Sequence, residues 1–229
     1  MANDAKLPTA ARLPTAVVFD MDGVLVDTEP VHGRCFVEAF GRLGIQTTLE
    51  YYRGAVSLGG SPVRDLYLSL GGRASDWEEV KRIKDGLMEK AMRDEVEAMP
   101  GIERLLAELR LGSVRTALAT SARRRSMEIV LDAMSLWDYF DVFVTKEEVK
   151  EEKPSPEAFL IAVQRLQAEP WQCVVVEDSP RGVAAAHRAG IRSVAVPNKS
   201  TEDGDFSEAT LIVESVEDIS LNTLQSLFA

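Results

Sequence analysis

Short apolar runs alternate with longer amphipathic segments along most of this 229-residue chain. The run Ala16-Val17-Val18-Phe19 has the length and β-branching of a buried parallel strand, and a group of acids follows it. Beyond Pro100-Gly101, strand-like and helix-like segments follow one another in turn. This alternation predicts an α/β fold with a doubly wound, Rossmann-like parallel sheet that helices cover on both faces. The predicted strands after the first are 115–119, 142–145, 173–176 and 193–196, and the predicted helices are 102–109, 122–133, 156–167 and 180–189.

The stretch from residue 31 to residue 99 carries helical signals only. A segment that begins at His32 ends at Gly44, Ser61-Pro62 opens a second one that stops at Gly71-Gly72, and Ser75-Asp76 starts a third. Serine before proline is typical of a helix start, with Ser61 as the N-cap and Pro62 at the first helical position, and glycine is typical of a helix end.

The pattern therefore predicts a core whose first strand is separated from the others by a small inserted helical cap domain. We expect the α/β catalytic core to comprise residues 15–30 and 100–229, and the helical cap residues 31–99. Residues 1–14 are rich in alanine and proline without a usable period, so we interpret them as a mobile leader and give them no function.

Composition and charge exclude several classes of protein. Apolar residues make up 45% and charged residues 28% of the chain, which is ordinary for a globular protein, and no apolar run is long enough for a membrane span. The net charge of −11 would repel nucleic acid and anionic membranes, so neither is an expected partner. Cys35 and Cys173 are far apart and the N-terminus has no signal pattern, so we expect a cytoplasmic monomer with free thiols.

Polar residues of the types used in catalysis and ligand binding follow the predicted strands. The first strand leads to Asp20-Met21-Asp22-Gly23, the second to Thr120-Ser121 and the fourth to Glu177-Asp178-Ser179, while Lys153 precedes a helix. Each has a local explanation as a turn, a helix cap or a surface lysine. Because ligands bind beyond the carboxyl ends of strands in open α/β sheets, one common site is the simpler explanation for all of them.

Electrostatics predict a cation at that site. Residues two apart at a strand end point to the same side, so Asp20 and Asp22 should share a crevice with Glu177 and Asp178. One like-charge pair about 4 Å apart costs on the order of 4 kcal/mol at an effective dielectric near 20, so a counter-ion is needed. Oxygen ligands with room for phosphate favour Mg²⁺, and the nearby Lys153 favours an anionic ligand. We therefore expect a small phosphorylated metabolite, a phosphomonoester, as the ligand.

These residues resemble the four motifs of the haloacid dehalogenase superfamily, in the right order. The resemblance covers essentially the whole chain from Ala16 onward. The matching segments are Asp20-Met21-Asp22-Gly23-Val24-Leu25-Val26-Asp27-Thr28-Glu29-Pro30, Leu118-Ala119-Thr120-Ser121, Glu152-Lys153-Pro154-Ser155-Pro156 and Val176-Glu177-Asp178-Ser179.

The resemblance implies a two-step phosphoryl transfer. Asp20 would attack phosphorus and form an aspartyl-phosphate, while Asp22 would protonate the leaving alcohol and then activate water. Thr120, the backbone of Ser121 and the charge of Lys153 would hold the phosphate oxygens.

The resemblance also implies how Mg²⁺ is bound. Its ligands would be Asp20, the backbone carbonyl of Asp22, and Asp178. Glu177 would be either a further ligand or a residue just behind the ligands.

The helical insertion resembles the small cap found between the first two motifs in one branch of this superfamily. Such a cap shuts over the site, excludes water and selects the substrate. Candidate residues for contact with the leaving group are Glu29, His32, Arg53 and Arg64. For each of them, a surface charge or a helix-packing role is an equally good explanation.

Four functions fit these features to different degrees. The first is a Mg²⁺-dependent phosphatase for a small sugar phosphate or related metabolite. A mutase resembling β-phosphoglucomutase is the alternative, although His32-Gly33-Arg34-Cys35-Phe36 and Ser61-Pro62 depart from the mutase pattern of His-x-x-Ala-Trp and an arginine after the cap serine. A dehalogenase would usually lack the second aspartate, Asp22. A non-enzymatic phospho-acceptor like a receiver domain would carry its motifs in a different order.

Overall fold

The computed structural model describes residues 13–58 and 60–228, apart from the side chains of residues 29, 57 and 58. Most of the predicted leader, residues 1–12, therefore lies outside the described residues. No helix in the described ranges is both long and apolar enough to cross a membrane.

The described chain forms a parallel sheet with strand order β3-β2-β1-β4-β5-β6. This is the doubly wound α/β fold predicted from the sequence. The predicted strands occur within two residues of their expected bounds, and only the short edge strand β6 was missed. The strands are β1 (Ala16–Phe19), β2 (Arg115–Ala119), β3 (Val142–Val144), β4 (Cys173–Glu177), β5 (Arg192–Ala195) and β6 (Leu211–Ile212).

Helices cover the sheet and form the insertion after β1. Two short helices, α2 and α9, and a π-helical turn over Arg53–Leu58 were not predicted from the sequence. The α-helices of the described chain are α1 (Glu29–Arg42), α2 (Leu49–Tyr52), α3 (Val63–Ser69), α4 (Trp77–Asp94), α5 (Ile102–Leu111), α6 (Arg124–Met134), α7 (Glu157–Arg165), α8 (Pro180–Arg188) and α9 (Leu221–Ser226).

Central strands are buried on both faces, which explains their uninterrupted apolar sequence. In β1, Val17 and Phe19 join one hydrophobic cluster, and Ala16 and Val18 join the cluster on the opposite face. All four side chains are fully buried. The packing therefore fixes β1 at the centre of the sheet, with the residues after it at the sheet's carboxyl edge.

Helices α1–α4, here called the helical module, share a hydrophobic cluster of their own. The cluster includes Phe40 and Tyr67, whose ring centres are 4.9 Å apart, together with Tyr52 and Val80. The chain returns from the module to the core beside its exit, since the Met99 amide donates to the carbonyl of Leu25 at 2.8 Å. Two adjacent linkers thus join the module to the core.

Two of the predicted proline helix starts, those of α3 and α8, differ in the structure. At α8, Ser179 is the N-cap, its Oγ accepts from the amide of Gly182 at 3.1 Å, and Pro180 is the first helical residue. At α3, the prediction was wrong by one residue: Pro62 is the N-cap and Val63 the first helical residue. The Pro62 carbonyl accepts the first helical hydrogen bonds, and no side-chain cap is made because proline has no polar side-chain atom.

Candidate active site

The sheet order brings three of the predicted motifs side by side. Strand β1 lies between β2 and β4, with Phe19 paired to Leu118 on one side and to Val176 on the other. The next residues in each strand or loop are Asp20, Ala119 leading to Thr120, and Glu177 leading to Asp178. Residues far apart in the chain therefore meet at one edge, as expected for an α/β sheet.

Lys153 is the centre of the charge network at this edge. Its Nζ donates to Oδ1 of Asp20, to Oε1 of Glu177 at 2.8 Å and to the carbonyl of Ala119 at 3.1 Å. An ammonium group has three donors, so these three acceptors use all of them. Asp20, Lys153 and Glu177 are 7%, 6% and 1% exposed, so the network is buried.

The network contains more negative charge than Lys153 can balance, and the pKa values reflect this. Burial, with the charges of Glu177 and Asp22, raises the pKa of Asp20 to about 7 despite the opposing effect of Lys153. Burial, Glu177 and Asp20 raise the pKa of Asp178 to about 8. Burial alone would lower the pKa of Lys153, but Asp20 and Glu177 outweigh it and raise that pKa. The protein alone therefore holds its carboxylates at an electrostatic cost.

Both carboxylate oxygens of Glu177 are engaged by protein donors. Oε1 accepts from Lys153, and Oε2 accepts from the amide and the hydroxyl of Ser179, each at 2.9 Å. Gly182 of α8 packs directly beneath this carboxylate. Of the two roles predicted for Glu177, these contacts favour the one behind the metal ligands, because the carboxylate is turned toward Lys153 and Ser179.

Asp22 is held from the linker to the helical module. Thr28, which is buried, donates its hydroxyl to Oδ1 of Asp22 at 2.6 Å. This role of Thr28 was not predicted from the sequence, although its position directly before the first helix of the module was a usable signal. The bond places the carboxylate of Asp22 at the junction between the core and the module.

Asp178 is held by an asparagine that the sequence analysis also missed. Nδ2 of Asn198 donates to Oδ2 of Asp178 at 2.8 Å. Gly23 has a left-handed φ of 82°, and a Cβ built there would lie 2.3 Å from the same Oδ2. Glycine is therefore required in the loop after β1 both for its backbone and for the close approach of Asp178.

The four carboxylates predicted to share one crevice lie close enough to influence one another, since the charges of Glu177 and Asp22 contribute to the raised pKa values of Asp20 and Asp178. Among the described residues, no three acidic, histidine or cysteine side chains form a ready-made metal cluster. The reason is that Glu177 turns to Lys153 and Ser179, while the carboxylate of Asp22 turns to Thr28.

The residues present still fit Mg²⁺. The ligand set implied by the resemblance needs only two side chains, Asp20 and Asp178, with the carbonyl of Asp22. Its donors are all oxygens, which suits a hard cation that keeps several water or phosphate ligands. The excess of buried negative charge around Lys153 is the feature that a divalent cation would neutralise.

Thr120 and Ser121 follow β2 directly, at the sheet edge where Asp20 lies. Thr120 is 3% exposed, and its Oγ1 accepts from the amide of Ala122 at 2.9 Å. This leaves the hydroxyl hydrogen free to donate to an anion. The alternative that these residues cap the next helix is wrong, since α6 begins at Arg124 with Arg123 as its N-cap.

Two cavities meet at Asp22, between the core and the helical module. Their volumes are about 460 and 510 Å³, and both are lined by Asp22, His32 and Phe36. The first also contains Ser121 and has a cationic wall. The cations in that wall are Lys81, Lys84, Arg123, Arg125 and Lys146.

The candidate residues of the helical module lie in different places relative to Asp22. His32 lies beside Asp22 in both cavities, as required of a residue that contacts a leaving group. Arg53 instead lines a separate cavity of about 660 Å³ near the linkers. Arg64 is exposed on α3 and lies outside the described linings of both Asp22 cavities. The side chain of Glu29 lies outside the described residues.

Two arginines at the mouth of the first cavity were not predicted from the sequence as site residues. Arg123 lies 3.9 Å from Asp85, and Arg125 lies 3.7 Å from Glu89, so two ion pairs connect α4 of the module to the start of α6. The run Arg123-Arg124-Arg125, which begins two residues after Ser121, was the available signal. All four paired side chains are well exposed, so each pair contributes little to stability.

Comparison with known proteins agrees with this geometry. The model of the family described as "Haloacid dehalogenase-like hydrolase" matches residues 17–196. The chain belongs to this family of hydrolases, and the family, fold and enzyme class predicted from the sequence are confirmed.

Two relatives of named activity are similar to most of the chain. This chain is 32% identical to the fructose-1-phosphate phosphatase YqaB of Escherichia coli, over 79% of this chain and 95% of that protein. It is 33% identical to a phosphorylated carbohydrates phosphatase of Thermotoga maritima, over 82% of this chain and 88% of that protein.

Solved structures share the whole architecture. CbbY from Rhodobacter sphaeroides, in complex with phosphate, superposes with a TM-score of 0.80 at 29% identity, over 93% of this chain and 99% of that one. A putative β-phosphoglucomutase from Thermotoga maritima superposes with a TM-score of 0.75 at 32% identity, over 92% and 98%.

Proposed function

We propose that this protein is a Mg²⁺-dependent phosphatase that hydrolyses a small sugar phosphate or related phosphomonoester through an aspartyl-phosphate. The observation that carries the proposal is the setting of Asp20. One carboxylate oxygen is bound by Lys153, and the residue stands at the sheet edge beside Thr120, Asp22 and Asp178. This arrangement orients the nucleophile and leaves its second oxygen available for attack.

In the first step, an oxygen of Asp20 attacks phosphorus while the bond from phosphorus to the ester oxygen breaks. Asp22, in its acid form, gives its proton to that departing oxygen and releases an alcohol. Lys153 orients Asp20, and the hydroxyl of Thr120 with the backbone amide of Ser121 donates to the phosphate oxygens. The phosphoryl group ends on Asp20.

In the second step, a water molecule attacks phosphorus and passes a proton to Asp22, which is now the base. The bond from phosphorus to Asp20 breaks, inorganic phosphate leaves, and both aspartates return to their starting states. Asp22 can serve both steps because it lies at the junction of the core and the module, where Thr28 holds it.

Mg²⁺, held by Asp20, the carbonyl of Asp22 and Asp178, would neutralise charge on the transferring phosphoryl group. Phosphate monoester hydrolysis needs accelerations of up to about 10²¹, far more than the roughly 10²–10⁴ that general acid catalysis supplies. The excess negative charge among the buried carboxylates supports a cation at this place.

We further propose that residues 31–99 act as a cap that selects the leaving group. The cavities between the helical module and Asp22 support this division, as do the paired linkers at Leu25 and Met99. A sugar-sized leaving group fits volumes of about 460–510 Å³. Similarity to phosphatases of fructose 1-phosphate and of phosphorylated carbohydrates favours a sugar phosphate.

A phosphosugar mutase is the second candidate, and similarity to the putative β-phosphoglucomutase favours it. A mutase would return the phosphoryl group from Asp20 to a sugar hydroxyl instead of to water. The chemistry of Asp20 and Asp22 is the same in both cases, so products must decide between them.

The test is a panel of phosphorylated sugars, including β-glucose 1-phosphate with its bisphosphate activator, with Mg²⁺ or with chelator. Phosphate release and isomerisation are measured separately for the native chain, for Asp20→Asn and for the control Asp94→Asn, an exposed aspartate at the end of α4. We expect Mg²⁺-dependent phosphate release that only Asp20→Asn abolishes. Isomerisation faster than release would favour the mutase, and full activity of Asp20→Asn would exclude Asp20 as the nucleophile.

A further inference from the structure

We infer that Asn198 is a positioning residue that fixes Asp178 for Mg²⁺ binding. The inference rests on the proposed function, in which Asp178 is a metal ligand. Asn198 follows β5, the strand next to β4, so the sheet places it beside Asp178 at the same carboxyl edge.

The orientation of the Asn198 side chain is fixed at both ends. Its Oδ1 accepts from the amide of Ser200 at 2.8 Å, and its Nδ2 donates to Oδ2 of Asp178 at 2.8 Å. A flipped amide would lose both bonds, because it would face one donor with a donor and one acceptor with an acceptor. Asn198 therefore presents a hydrogen-bond donor, and nothing else, to Asp178.

The loop that carries Asn198 is itself held firmly. The amide of Asn198 donates to Oγ1 of Thr201 at 3.0 Å, and its carbonyl accepts from the amides of Thr201 at 2.9 Å and Glu202 at 2.8 Å. This turn anchors the backbone while the side chain reaches Asp178. The donor is thus supplied by a preorganised turn.

As a consequence, the carboxylate of Asp178 is held by the protein through one of its two oxygens, Oδ2. Oδ2 lies between Asn198 and Gly23, where a Cβ on Gly23 would be 2.3 Å from Oδ2 and 2.9 Å from Nδ2 of Asn198. The donor from Asn198 and the close approach of Gly23 together fix the position of Oδ2, and with it the orientation of the whole carboxylate. A carboxylate fixed in this way loses less conformational freedom when it binds metal.

The experiment compares Mg²⁺ affinity by isothermal titration calorimetry, with no substrate present. Asn198→Ala removes the donor to Asp178. Asn198→Ser also removes it, but keeps a short side-chain oxygen that can accept from the Ser200 amide and preserve the turn. Asn222→Ala is the matched control, since Asn222 is an exposed asparagine on α9 and the variant loses the same side chain. Far-UV circular dichroism checks that each variant is folded.

Removal of a residue that orients a metal ligand typically costs 10- to 100-fold in metal affinity. We expect a loss of about 10- to 100-fold for both Asn198 variants and of less than about threefold for Asn222→Ala. Native affinity in Asn198→Ser, or an equal loss in Asn222→Ala, would overturn the inference and leave the proposed function intact. Absence of Mg²⁺ binding by the native chain would overturn the metal site of the proposed function, and the inference with it.

Discussion

Gly182 allows the buried charge network to be tested without changing any of its side chains. A Cβ at this position would lie 1.8 Å from Oε1 and 1.9 Å from Cδ of Glu177. Glu177 is only 1% exposed, so its carboxylate has no solvent to move into. The substitution Gly182→Ala must therefore displace Glu177 from Lys153 and Ser179, or move α8 away from the sheet.

The expected effect is a loss of stability. Disruption of one partner in a buried ion pair costs about 3–5 kcal/mol, while alanine in place of glycine within a helix gains about 1 kcal/mol. The difference is a net loss of about 2–4 kcal/mol in the free energy of unfolding. At about 2–4 °C per kcal/mol for a chain of this size, Tm should fall by about 4–16 °C.

The matched control is Gly86→Ala in α4. Gly86 is also inside a helix, but it is exposed and a Cβ there meets no atom within 4 Å. This variant should gain about 0.5–1 kcal/mol. Thermal unfolding of both variants is followed by far-UV circular dichroism, and phosphate release is measured in parallel. Gly182→Ala with a Tm equal to or above that of Gly86→Ala would refute the claim that Glu177 is locked against α8.

Three further predictions concern charge and burial. In chelator, stability should fall as the pH rises from about 4 to about 8, because folded Asp20 and Asp178 keep protons, with pKa values of about 7 and 8, that the unfolded chain has already lost. The free energy of unfolding should change by about 1.4 kcal/mol per pH unit for each such proton. Urea unfolding at several pH values should show this fall, with a larger stabilisation by Mg²⁺ at pH 8 than at pH 5. A free energy of unfolding that does not change with pH would contradict the prediction. Cys35 and Cys173 are buried, which raises the pKa of both thiols. Ellman's reagent should therefore react with them only after unfolding, and a fast reaction with the native chain would disprove this. Asp85→Asn combined with Glu89→Gln should change stability by less than about 2 kcal/mol, because the carboxylates of both residues are exposed in their ion pairs with Lys84 and Arg123 and with Arg93 and Arg125. The double variant should also lower KM for phosphorylated substrates by making the cavity more positive, and an unchanged or higher KM would count against the cavity as their entry.

Local sequence signals were sufficient to predict most elements of the core and the residues that follow the strands. Apolar runs such as Ala16–Phe19 and Cys173–Glu177 are buried on both faces, so their pattern shows little interruption and is easy to recognise. Serine and proline at the start of α8 act within a few residues of each other, so that helix start was also predictable. The short edge strand β6 has only two residues and no comparable pattern.

The tertiary structure decided which oxygen of each carboxylate has which partner. Glu177 and Asp178 are neighbours in the chain, yet one is bound by Lys153 and Ser179 and the other by Asn198.

The same holds for the helical module, where His32 lines the same cavities as Asp22 while Arg64 stays on the surface. The sequence by itself determined the α/β elements and the acids at their ends, because apolar periodicity and helix caps act over short distances. Strand order, the direction of each side chain and the face that the module turns toward the core depend on packing between distant segments, so only the folded chain fixes them.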